Sequence, residues 1–164
     1  MQNICGLHMQ AFGRQSAEDV LRVLREKAAA FEQDPLNAEL ANQCAIDAWS
    51  LCDWVFKEHG NRLGIQKLRQ LQARMTQQCP ELALFQDVAN ASKHGGISKY
   101  APQLKEAKYH QGGFAREAFS SGFDVSAFVL VGNDGSEIWF DHALNKVVDH
   151  WVQFFDQNQL QINS

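Results

Sequence analysis

The residues best suited to chemistry lie in one short stretch, Asp87-Val88-Ala89-Asn90-Ala91-Ser92-Lys93-His94. On a helix, separations of three, four and seven residues bring side chains to one side, so Asp87, Asn90, Ala91 and His94 share a face. A carboxylate, an amide and an imidazole in line would serve proton transfer or contact with a phosphate. The stretch runs straight into Gly95-Gly96, a helix stop, which puts His94 at a helix C-terminus, where the macrodipole favours the imidazolium. The competing reading is structural, with His94 capping the last turn while Asp87 and Asn90 bond to neighbouring helices.

Other constellations are thinner. None of the six histidines stands four residues from another or joins a cysteine or glutamate in a known ligand string, so neither a metal site nor a cofactor is expected. No phosphate-cradling glycine loop, dinucleotide fingerprint or nucleophile elbow is present. Asp47 and Asp53 fall among apolar residues of one long helical pattern. Six residues apart, they face different ways, and either could orient the Lys93/His94 region. Cys5, Cys44, Cys52 and Cys79 form no paired motif and read as reduced, packing thiols, although Cys52 or Cys79 beside a histidine would make a nucleophile pair.

The elements that must position these groups follow from periodicity. Ser16 with Asp19 forms an acidic capping box ahead of a helix from about Ser16 to Phe31, after an N-terminal arm over residues 1–15. Asp34-Pro35 signals the start of a second, central helix closed by His59-Gly60. Ile65, Leu68, Leu71 and Met75 mark a third helix, and Pro80-Glu81 opens the fourth, which carries the polar stretch. From Ile97 to Gly122 the pattern dissolves into a long loop. Period-two alternation from Phe123, the turn Gly132-Asn133-Asp134-Gly135 and a return to Phe140 predict a β-hairpin over residues 123–140. Asp141 then caps a last helix with a heavy apolar stripe.

The expected architecture is all-α, a single domain over residues 1–164 with about five helices and a β-hairpin before the last. Its 164 residues are 45% hydrophobic and 21% charged, which excludes a disordered or fibrous chain. No apolar run is long enough to cross a bilayer and the start carries no leader pattern, so the expectation is a cytoplasmic protein without a membrane role. The net charge of −4 is uneven: −4 over residues 1–58, +6 over 59–116 and −6 over 117–164. The basic middle either steers phosphate or pairs with the acidic ends.

A bundle in which Asn90, Lys93 and His94 end a helix, followed by a polar insertion, a hairpin and an aromatic-rich final helix, resembles the HEPN-like proteins. These are bacterial and phage helical domains whose better-known members are metal-independent RNases of toxin–antitoxin, abortive-infection and CRISPR-associated systems. Their motif is an arginine, commonly followed by a polar residue, with a histidine four to six positions beyond the arginine, and two copies meet to build one site. Asn90 and His94 match the polar residue and the histidine, whereas Ala89 stands where the arginine would be. The resemblance implies a homodimer engaging RNA or a nucleotide through His94, Asn90 and Lys93, supported by Asp87 and Asp47. Lys93, or Arg69 or Arg74 from a second copy, would supply the missing positive charge. The alternative is a non-catalytic module that binds a protein partner, such as one component of a phage-defence or toxin–antitoxin pair, and Ala89 favours it.

Overall fold

The computed structural model describes residues 14–94, 103–110 and 126–160, together with the backbone but not the side chain of His94. Five helices and three strands follow one another as α1 (Ala17–Gln33), α2 (Ala38–His59), α3 (Leu68–Gln78), α4 (Glu81–His94), β1 (Leu104–His110), β2 (Ala127–Gly132), β3 (Glu137–Trp139) and α5 (Phe140–Asn158).

The start of α1 is written in its capping residues. The Ser16 hydroxyl accepts from the Asp19 amide at 3.1 Å, satisfying one of the donors a helix start leaves open. The Asp19 carboxylate reaches one residue further back than a capping box requires, to the Gln15 amide at 2.9 Å, a bond that leads the effects holding its pKa below the usual carboxylate value. Asp34-Pro35 does not open the second helix. Asp34 instead closes α1, its amide donating to the carbonyls of Ala30 and Phe31, and Asn37 caps α2 by accepting from the Leu40 amide at 3.0 Å. Pro35 therefore sits in the turn between the helices.

Helix α2 is the hub and packs against each of the other four helices. Ala41, Cys44, Ala45, Ala48, Leu51, Cys52 and Val55 are buried along it, and these mostly small side chains let its neighbours come close. The Trp151 indole N–H of α5 donates to the Ala48 carbonyl at 3.1 Å inside this contact. At the far end Gly60 keeps a right-handed φ of −52°; a Cβ there would lie 2.5 Å from the Phe56 carbonyl oxygen. The left-handed residue is Gly64, with φ +68°. Helix α3 begins at Leu68 rather than Ile65, because the Gln70 side chain accepts the amides of Gln66 and Lys67 and so fixes the helix start there.

The class is mixed rather than purely all-α. The expected 97–122 loop contains β1, and the hairpin is two strands of a three-stranded antiparallel sheet in the order β1-β2-β3. Strand β1, Leu-Lys-Glu-Ala-Lys-Tyr-His, is mostly exposed and carries no apolar alternation, so periodicity had nothing to detect. Strand β2 lies between the other two, paired to β1 through Lys108↔Val129 and to β3 through Val129↔Trp139. Its Leu130 joins the main core, with Phe128, also on that face, packed against it. Positions 123–125 and the arm before Arg14 lie outside the described residues. Helix α5 starts at Phe140, whose ring is buried, so Asp141 falls inside the first turn instead of capping it. One buried cluster joins all five helices and the sheet. No helix of the described residues is long and apolar enough to cross a membrane.

Candidate functional site

Helix α4 buries Leu82, Leu84, Phe85, Val88 and Ala89 against the bundle, and Asp87 is buried among them at 6% exposure. A carboxylate in such a place must find donors. Asp87 finds them in the backbone, since one oxygen, Oδ2, accepts from the Gln103 amide at 2.6 Å and the Leu104 amide at 2.7 Å. It thereby fastens the start of β1 to α4. The carboxylate expected to support catalysis is engaged in positioning a strand.

Asn90, half-buried, is also engaged. Lys93 stands exposed on the last turn, and the side chain of His94 lies outside the described residues. The two α2 carboxylates part company as their spacing requires. Asp53 lies within electrostatic reach of Lys93: burial raises its carboxyl pKa and the Lys93 ammonium pulls it back. Asp47 does not reach this end. It is 1% exposed and lies between α1 and the segment before it, with Arg14 Nη1 at 2.7 Å from Oδ1, Arg14 Nη2 at 3.0 Å from Oδ2, and Lys27 Nζ at 2.7 Å from Oδ2. Of the two, the carboxylate that feels the Lys93 charge is Asp53, not Asp47.

Position 89, where the resemblance calls for an arginine, is wholly buried. A guanidinium there would enter the core. Of the substitutes expected from a second copy, Arg74 lies over the Phe154 ring of its own α5 at 5.6 Å from its centroid, and Arg69 is exposed on α3. Part of the basic middle is matched within the chain. Arg62 donates to the carbonyls of Asn158 and Gln159 at the end of α5. Lys108 pairs with Glu137; outside that segment, Lys146 of α5 reaches Glu81 at 2.7 Å. Burial would raise the Glu81 pKa, yet the Lys146 ammonium and backbone bonds outweigh it.

The three described thiols, Cys44, Cys52 and Cys79, do not make nucleophiles. Burial pushes Cys44 up to about 12 and Cys79 up to about 11, and drives Cys52 higher still, so each is a protonated thiol at neutral pH. Cys79 donates to Glu81 at 3.6 Å, and that carboxylate further opposes ionisation. Among the described residues no three His, Cys, Asp or Glu side chains are placed to hold a metal ion. His150 on α5 has a buried Nε2 with no hydrogen-bond partner, and burial lowers its pKa against the opposing pull of Glu81.

The sequence signalled the polar face of α4 but not what Asp87 binds, because backbone amides leave no signature in residue type. It left Asp47 and Asp53 as equals, and only the packing of α2 against α4 separates them. No protein-family model matches the sequence, and comparison with curated proteins and with solved structures returns no match.

Proposed function

We propose that the chain is a HEPN-like helical module that binds a protein partner and does not cleave RNA. The observation that carries this reading is the burial of Ala89. A phosphate-cleaving site needs fixed positive charge where the transition state develops negative charge, and at position 89 the helix offers a core methyl group instead. Two further features agree. The Asp87 carboxylate is tied to the β1 backbone, and Arg62, Arg74, Lys108 and Lys146 all meet groups of their own chain. The overall charge of −4 gives a polyanion no general attraction. The exposed end of α4, with Lys93 beside Asp53, is the face offered to the partner.

The test uses labelled single-stranded RNA with the wild-type protein and His94→Ala, in the presence of a chelator. Neither protein is expected to cleave, and retention of RNA on a filter should be weak and equal for both. Cleavage by the wild type that disappears in His94→Ala would restore the nuclease reading, with Lys93 as its cation.

A further inference from the structure

Between the first turns of α2, the middle of α4 and the core-facing side of the sheet lies a cavity of about 200 Å³. Small side chains make the room, Ala41 from the helix and Ala107 from β1, and the walls are otherwise apolar with Phe128 and Phe140 among them. Two polar groups reach it, the Asn42 carboxamide and the Tyr109 phenol. Neither has a hydrogen-bond partner among the described residues. Tyr109 is 49% exposed, an unusual state for a large ring on the inner face of a sheet. Lys108 also contributes to the wall, but its place in the strand turns its side chain to the opposite face, where it pairs with Glu137. The interior of the cavity therefore meets no ionised group.

The aromatic walls belong to a continuous array. Tyr109 meets Phe128 edge-on at 6.1 Å, Phe128 lies 6.5 Å from Phe31, Phe31 meets Phe140 edge-on at 5.2 Å, and Phe140 stacks on Phe85 at 5.1 Å. A ring entering the cavity would extend this array at its open end. Apolar cavities of roughly 150 Å³ accept benzene, so this one has space for one ring or two fused rings. A mostly apolar concavity with a few convergent polar groups is the usual form of a small-molecule site.

We propose that this cavity binds a small, uncharged, planar aromatic molecule carrying one hydrogen-bonding group, with Asn42 and Tyr109 fixing that group and Phe128 and Phe140 stacking on the ring. The site is separate from the α4 end and independent of the function proposed above.

The probes are indole and octahydroinden-2-ol, a neutral saturated analogue of the same size with one hydrogen-bonding group, titrated into the full chain by ligand-observed NMR with thermal shift alongside. Indole should bind saturably and raise Tm with concentration, and octahydroinden-2-ol should bind roughly fivefold more weakly for want of ring contacts. Tyr109→Phe should weaken indole about threefold to tenfold, the effect of one lost hydrogen bond. Ala107→Phe fills the space and should abolish binding. If that variant fails to fold, Ala38→Leu, on the exposed first turn of α2 at the cavity wall, serves instead. No saturable indole binding to the wild type, equal binding of the saturated analogue, or binding unchanged in the filled variants would each overturn the proposal.

Discussion

Asp47 and Asp87 are the two buried charged residues of the described core, each a single carboxylate on a helix face otherwise given to packing, and the two regions satisfy them in opposite ways. In the α1–α2 region Asp47 is gripped by side chains, with both oxygens engaged by Arg14 and one of them also by Lys27. In the α4–sheet region Asp87 is gripped by main chain, with one oxygen accepting two successive amides of the segment entering β1. A carboxylate held by cations depends on its charge and on both oxygens. The two amides that Asp87 accepts depend mainly on one acceptor in the right place.

Replacing each with asparagine sharpens this contrast most. Asp47→Asn loses one acceptor oxygen and turns an amide N–H₂ toward a cation, leaving two positive charges without a counter-ion. Because Arg14 and Lys27 are each about a quarter exposed, the cost should fall at the lower end for a broken buried pair, about 3 kcal/mol in urea unfolding. Asp87→Ala strands two backbone donors and should cost about 2 kcal/mol. It should also raise hydrogen exchange at the Gln103 and Leu104 amides while leaving α1 protected. Asp87→Asn keeps one carbonyl oxygen for both amides and should cost about 1 kcal/mol. Equal losses for the two asparagine variants would break the comparison.

His150 supplies a third case, a buried nitrogen that neither side chain nor backbone satisfies. Its pKa in the folded protein lies below the ordinary value of 6.5. Above that value both states hold the neutral ring; as the pH falls through it, the unfolded chain takes up the proton first, so stability declines. Unfolding measured between pH 7 and pH 5 should show this slope, and His150→Phe should flatten it with little loss at pH 7. The smallest effect is expected at the α4 end, where Lys93→Ala removes an exposed partner of Asp53 and should change stability by less than about 0.5 kcal/mol. A larger loss would mean that Lys93 holds the bundle together and is not available to a partner.

The helices were legible from residue order because their signals are local. Ser16 before Asp19, Pro80-Glu81 and the stripe Leu144, Val147, Trp151, Phe154, Phe155 each act within a few residues, and each sits where it was expected. The faults came from groups able to serve either of two neighbours. Asp34 can end one helix or begin the next, and the turn through Pro35 decided it. Strand β1 carries no pattern of its own, since pairing with the apolar β2 on one side and the Asp87 carboxylate at its start hold it in place. The polar face of α4 was visible in the spacing of Asp87, Asn90 and His94, but the amides that Asp87 accepts lie at the start of β1, and spacing along one helix carries no information about them.

The indole of Trp151 gives the molecule an optical clock. Its N–H meets the Ala48 carbonyl across 103 residues of chain, with Phe154 and Phe155 set edge-on to the ring. With Trp49, Trp54 and Trp139 replaced by phenylalanine, emission typical of a dry, hydrogen-bonded indole can therefore appear only after the last helix has found the middle of the second. Because such a long-range meeting is slow compared with the growth of any single helix, the blue shift should lag the far-ultraviolet dichroism in a stopped-flow refolding trace, timing assembly of the bundle without an attached dye.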